Sequence, residues 1–160
     1  MTVVADTSTL CYLVLICCPE LLRQLYGQIH VPTAVRAELL HTGSPTPVRD
    51  WAAHWPSWIQ VHTVAPSDDA ALARLHAGER EAILLATTLR ADVVLLDERA
   101  ARVVAQQRNL CVAGLFGVLL EGSRRGLVDL PAAIERLRQT TFRASPQLLR
   151  EVLRRHAEGK

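Results

Sequence analysis

No apolar run in this chain is long enough to cross a membrane. The longest, Leu10 to Cys18, covers nine residues, against about 20 for a bilayer-spanning helix. The segment before it carries Asp6 and no positive charge, which argues against a signal-peptide core, so a cytoplasmic protein is expected. Cysteine is sparse and unpatterned. None of Cys11, Cys17, Cys18 and Cys111 forms a C-x-x-C pair, and all four lie among leucine, valine and isoleucine. A free thiol there behaves as a small hydrophobe, so buried, inert cysteines are expected. Lysine is nearly missing, since seventeen of the eighteen cations are arginine, the residue that forks best onto phosphate. An arginine-rich genome produces the same bias.

Several chemistries are missing too. There is no Gly-rich phosphate loop and no G-x-S-x-G nucleophile elbow. The six histidines lack zinc-ligand spacing and are expected at the surface, with His30 and His62 flanking strands. The residue two after Asp6 is Ser8, where a haloacid-dehalogenase-like phosphatase would need a second aspartate. No repeat, low-complexity tract or long linker divides the chain. What remains as chemistry is a handful of carboxylates.

The 160 residues, 49% hydrophobic and 21% charged, fit one ordinary globular domain. Charge is unevenly placed: residues 1–120 hold 9 basic and 11 acidic side chains, and residues 121–160 hold 9 and 5. The body is expected over 1–142, with 143–160 a basic C-terminal helix packed on it or extending from it. Short apolar runs alternate with helical stretches. Val3–Ala5, Gln28–Val31, Trp58–Val64, Val93–Leu96 and Leu110–Ala113 read as strands. Helices are expected after Asp6 (with Thr7 and Ser8 as caps), over Pro19–Tyr26, from Pro32-Thr33, over Asp68–Leu89 with a break near Gly78, and over Glu98–Arg108. Pro131 and Pro146 open two more, and Gly43–Pro56 reads as a loop with a short helix. Such alternation indicates an α/β fold around a parallel sheet. Its ligand site lies beyond the carboxyl ends of the strands, where strand order reverses.

Two strands end in an aspartate. Asp6 follows Val3-Val4-Ala5, and Asp97 follows Val93 to Leu96. If those strands are neighbours, the carboxylates meet and raise each other's pKa unless a cation sits between them. Such a pair suits Mg²⁺ or Mn²⁺, hard ions that prefer oxygen ligands. A strand-end aspartate equally well caps the next helix. Glu38, inside an apolar helix, reads either as a ligand or as a surface ion-pair partner. Glu79 and Glu81 flank the stripe of Ala82, Leu85, Ala86 and Leu89, one at each edge, and periodicity does not choose between them.

Taken in order, these motifs resemble the PIN-domain family. Asp6-Thr7-Ser8, Pro32-x-x-Val35-x-x-Glu38, Glu81-Ala82-Ile83-x-x-Ala86 and Leu95-Leu96-Asp97 carry the resemblance. The DUF3368 branch of VapC-like PIN proteins is more similar still. It is matched by Leu22-x-x-Leu25-Tyr26, Gly78-Glu79-x-Glu81-Ala82-Ile83, Leu96-Asp97-Glu98-Arg99, Arg102-x-Val104-Ala105, the run Gly114 to Leu120, and Gly126-Leu127-Val128.

The resemblance implies a three-layer fold with a central parallel sheet in the order 3-2-1-4-5. It implies an acidic quartet of Asp6, Glu38, Glu81 and Asp97 that is both catalytic and metal-ligating, with Glu81 ahead of Glu79 by register. Ser8, Glu79, Glu98 and Arg102 are supporting candidates: Ser8 as a helix cap or a partner of bound water, and Arg102 as the ion-pair partner of a quartet acid or of a surface carboxylate. The implied activity is endoribonuclease hydrolysis of RNA phosphodiesters with Mg²⁺ or Mn²⁺, as the toxin of a VapBC-like toxin–antitoxin pair. A homodimer and a small antitoxin partner are implied with it, and no membrane. The alternative is a non-catalytic PIN fold acting through protein or nucleic-acid binding. A small-molecule hydrolase on the same site is the third reading. The basic tail and Arg124-Arg125 would add salt-sensitive attraction for phosphate.

Overall fold

The structure, a computed structural model, describes residues 1–159. Five short strands, β1 (Val3–Ala5), β2 (Ile29–Pro32), β3 (Ile59–His62), β4 (Val93–Leu95) and β5 (Val112–Ala113), form one sheet. Their order is β3-β2-β1-β4-β5 and every pairing is parallel. The strands read as apolar runs because both faces of the sheet are covered.

Alternate residues of β1 divide between two cores. Val3 and Ala5 pack with α1 (Thr7–Leu15), α2 (Glu20–Tyr26), α3 (Thr33–Leu40) and α4 (Thr46–Ala53), together with α7 (Leu115–Arg124) and α8 (Leu130–Arg138). Val4 points the other way, with Val94 and Leu96, into α5 (Ala77–Leu89) and α6 (Arg99–Gln107). The last helix, α9 (Pro146–Glu158), docks on α7 and α8 and buries Val152 in the first core. This is the expected three-layer α/β architecture with the expected strand order. Among the described residues, no single helix is long and apolar enough to cross a membrane.

Four expectations are corrected. The cap of α1 is Asp6 itself, which accepts from Thr9 N, rather than Thr7 or Ser8. Helix α5 begins at Ala77, not Asp68. The segment before it makes only i→i+3 turns, at Leu72, Ala73 and Leu75, while Leu72 and Leu75 are still buried. The cysteines are free but not buried: Cys17 and Cys111 are exposed and Cys11 and Cys18 half-buried. Cys17 sits in the left-handed turn that ends α1, at φ 63°, where the chain leaves the core. The histidines are not all surface residues either. His30 Nδ1 and His62 Nε2 lie 2.9 Å apart on β2 and β3, both half-buried, and His156 lies 2.7 Å from Ser123 Oγ.

Packing is tight where α7 crosses α2. A Cβ on Gly122 would lie 2.6 and 2.9 Å from the two Leu21 Cδ atoms and 3.1 Å from Val128 Cγ1. Gly122→Val is therefore expected to destabilise the protein by about 2 kcal/mol through overpacking. The urea midpoint should fall with an unchanged m-value.

Candidate active site

The sheet order reverses between β1 and β4, so their carboxyl ends open the cleft where α/β proteins place ligands. Register puts Ala5 level with Leu95. The chain beyond each strand then delivers Asp6 and Asp97 to the same edge, beside the start of α1 and the start of α7.

One residue joins the two acids. Thr9, fully buried on α1, donates its backbone N–H to Asp6 Oδ1 at 3.0 Å. Its hydroxyl donates to Asp97 Oδ2 at 2.8 Å. Asp97 Oδ1 accepts the N–H of Leu115 at 2.9 Å, at the first turn of α7. Asp6 Oδ2 is buried and has no partner. An unpartnered buried carboxylate oxygen is costly, and beside a second carboxylate it is costlier.

Acidity follows from that placement. Asp6 is fully buried, and burial first, then the neighbouring Asp97 and Glu79, pushes its carboxyl up to about 8. Asp97 is also raised, chiefly by burial. The Leu115 N–H, the Thr9 hydroxyl and the Arg102 guanidinium oppose the rise, and Glu98 adds to it.

Helix α5 brings Glu79, 7% exposed, toward the same edge. Its Oε1 accepts from His76 N at 3.1 Å, closing a capping box, and its Oε2 is buried without a partner. Burial raises its carboxyl, with Glu98 and Glu38 pushing the same way and His76 opposing. Glu38 reaches across from α3. It accepts from Gly78 N at 2.8 Å through Oε1 and from the Thr7 hydroxyl through Oε2. A Cβ at 78 would press on Glu38 Oε2 and lie 2.6 Å from Thr7 Oγ1, so this arrangement of Glu38 and Thr7 depends on glycine there.

The expected quartet is thus only partly gathered. Asp6 and Asp97 share Thr9, and Glu38 is held by Thr7 and Gly78. Glu81 faces the start of α3, where its Oε1 lies 3.4 Å from Ala34 N and 3.5 Å from Thr33 Oγ1. Glu79 is among the charges that push the Asp6 carboxyl up. Of the supporting candidates, Ser8 is half-buried on the first turn of α1, and exposed Glu98 stands at the N-cap position of α6 without a capping bond from its side chain. Arg102 folds back to donate Nη1 to the Leu96 carbonyl at 2.9 Å, on the Asp97 side.

Sequence reasoning missed Thr9, Thr7 and the two glycines at 78 and 114. A signal for Thr9 exists: a capping aspartate accepts from the residue three positions on, which is Thr9 rather than Ser8. Thr9→Val should cost about 1–3 kcal/mol by stranding Asp97 Oδ2. Thr9→Ser should stay within about 1 kcal/mol of the parent in the same denaturation series, because its hydroxyl survives.

Among the described residues, no group of three or more His, Cys, Asp or Glu side chains gathers closely enough to hold a metal ion. A hard cation with a largely aqueous shell needs only one or two carboxylates. Asp6 and Asp97 meet that requirement, and the orphaned Asp6 Oδ2 is the oxygen such an ion would satisfy.

A family model described as a PIN domain, DUF3368, matches residues 2–158. No curated protein and no solved structure matches the chain.

Proposed function

This chain belongs to the PIN-domain family, and we propose on that premise that it is a Mg²⁺- or Mn²⁺-dependent endoribonuclease, the toxin of a VapBC-like pair. PIN domains are generally nucleases. The observation that carries the finer reading is Asp6, fully buried beside Asp97 with one carboxylate oxygen unpartnered. A carboxyl in that setting is unstable as an anion unless a cation accompanies it.

Asp6 and Asp97 would hold the ion, with Glu79 at its rim. Glu38 stands behind them as the residue that fixes the start of α5, and Glu81 stays with α3. When bound, such an ion supplies Lewis-acid polarisation of the phosphate and a more acidic water. Thr9 fixes both carboxylates in one orientation before substrate arrives. The Leu115 N–H keeps Asp97 from turning away. No side chain is needed as a nucleophile, in keeping with the missing elbow and triad motifs. An RNA substrate, a homodimer and a small antitoxin partner complete the proposal, all three by analogy with the family.

One observation favours the alternative, a PIN fold that works by binding alone. Of the quartet, Glu38 is committed to the N-terminus of α5 and Glu81 to that of α3, which leaves two acids rather than four for an ion.

The test incubates purified protein with RNA and Mn²⁺ or Mg²⁺, beside Asp97→Asn and an EDTA arm. Cleavage should fall at least about 100-fold in both controls, the scale on which single charged groups act in such sites. Cleavage surviving chelation would overturn the metal-dependent reading. RNA retained without cleavage in every arm would establish the binding module instead.

A further inference from the structure

We infer that Glu38 is a positioning residue and not a metal ligand: its carboxylate clamps the start of α1 to the start of α5 and so sets the spacing of Asp6 and Glu79. The inference deepens the nuclease reading above and rests on it for its catalytic half alone.

The clamp grips two helix starts at once. Glu38 Oε1 accepts the N–H of Gly78 at 2.8 Å, and Oε2 accepts the hydroxyl of Thr7. Thr7 directly follows Asp6, and Gly78 directly precedes Glu79. One side chain therefore holds the immediate neighbours of two buried acids that come from different helices. Gly78 lies in the first turn of α5, where backbone N–H groups have no partner within the helix.

The base of the clamp is fixed as well. The Glu38 carbonyl accepts from Ser44 Oγ at 2.7 Å and from His41 N at 3.2 Å, which ties down the end of α3. That helix packs on both α1 and α5. At the far end, a Cβ on Gly78 would press on Glu38 Oε2 and lie 2.6 Å from Thr7 Oγ1. Alanine is the better helix former, so the glycine is explained by the space that carboxylate and hydroxyl occupy.

None of these contacts requires a negative charge. A carboxamide has nearly the same shape. Its oxygen accepts from Gly78 N, and its nitrogen donates to the Thr7 hydroxyl, which accepts as readily as it donates. A ligand to Mg²⁺ or Mn²⁺ contributes an anionic oxygen, which the amide lacks. One substitution thus separates the two roles.

The test compares Glu38→Gln, Glu38→Ala and Gly78→Ala with the parent and Asp97→Asn, by RNA cleavage in Mn²⁺ and by urea denaturation in EDTA. Glu38→Gln should hold the parent's urea midpoint and cleave within about fivefold of it, the loss reflecting neutral rather than charged hydrogen bonds. Glu38→Ala strands two donors, so its midpoint should fall. Its kcat should drop at least about tenfold with little change in KM, because displaced acids slow the chemical step. Gly78→Ala keeps the Glu38 charge but should lower midpoint and cleavage too, and should add little to the losses of Glu38→Ala. A Glu38→Gln that folds like the parent but cleaves as poorly as Asp97→Asn would make Glu38 a ligand and overturn the inference. A Glu38→Gln midpoint as low as that of Glu38→Ala would do the same, since the clamp would then need the charge. If the parent does not cleave RNA, the nuclease reading fails, while the clamp is decided by the urea series: Glu38→Gln must match the parent there and Glu38→Ala must not.

Discussion

Asp6→Asn is expected to make the metal-free protein more stable while removing its cleavage of RNA. The two effects have one cause. Asp6 lies fully buried with its carboxyl raised to about 8 from its ordinary 3.8, by burial first and by Asp97 and Glu79 next. Holding it ionised at pH 8 works against folding, with a ceiling of roughly 6 kcal/mol at about 1.4 kcal/mol per pKa unit. Asparagine has nearly the same shape and no charge. It keeps the oxygen that accepts from Thr9 N, and its amide can face the acids that repelled the carboxylate. Relaxation will reclaim much of the ceiling, so the expected gain at pH 8 is about 2 kcal/mol, read from chemical denaturation in EDTA. At pH 5, where the parent's Asp6 is already protonated, the gain should shrink to under about 1 kcal/mol. Cleavage should drop at least about 100-fold, because the buried anion is what attracts the cation. A destabilised Asp6→Asn at pH 8 would mean that the carboxylate is satisfied by something other than a metal. An active one would remove Asp6 from the chemistry.

The contrast between Asp6 and Glu79/Glu81 explains how much of this site the sequence made legible. Asp6 and Asp97 could be found because each terminates an apolar run, and parallel-sheet topology sends strand ends to one edge. That logic needs only periodicity and order. Glu79 and Glu81 sit symmetrically about the apolar stripe of α5, so a helical wheel gives both the same standing. The choice lies in a neighbour that local pattern does not see. The N-terminus of α3 lies beside Glu81, offering Ala34 N and the Thr33 hydroxyl, while Glu79 turns back on His76. Family register favoured Glu81; the charge of buried Glu79 is the one that adds to the rise of the Asp6 carboxyl. The same limit applies to Leu72 and Leu75. Their composition reads as helix, yet burial in the second core is achieved by turns. Thr9 was visible in principle, three residues after a capping aspartate, but its second bond, to Asp97, spans 88 positions. Glycine 78 could not be read at all without Glu38 above it.

Stability of the metal-free chain should fall as pH rises from 5 to 8, and Mn²⁺ should reverse that fall. Asp6, Asp97 and Glu79 are all raised, so the folded state binds protons that the unfolded chain has released. Each such group contributes stability below its unfolded pKa and loses it as pH climbs through the folded value. For Asp6 the window runs from 3.8 to about 8. Its slope approaches about 1.4 kcal/mol per pH unit where the two states differ by a full proton. Glu121 and Glu151 run the other way: their arginine neighbours hold them near 2. Their contribution is present above the unfolded value of 4.5 and disappears only below it, in a separate acid window. His30, its imidazole held below 6.5 by burial and by His62, opposes the raised carboxyls in the lower part of this range. The three raised carboxyls outnumber it and set the sign between pH 5 and 8. A divalent ion binds the deprotonated cluster and hardly binds the unfolded chain, so at 100 times its Kd it should add about 2.7 kcal/mol. The gain should be largest at pH 8 and small at pH 5, where protons occupy the carboxyls. Melting scans at four pH values, each with EDTA or Mn²⁺, would measure both slopes, with Asp6→Asn as the control that should show little of either. A parent whose stability rises toward pH 8 without metal would show that the buried acids are already neutralised within the protein, and the case for a cation at this edge would fail.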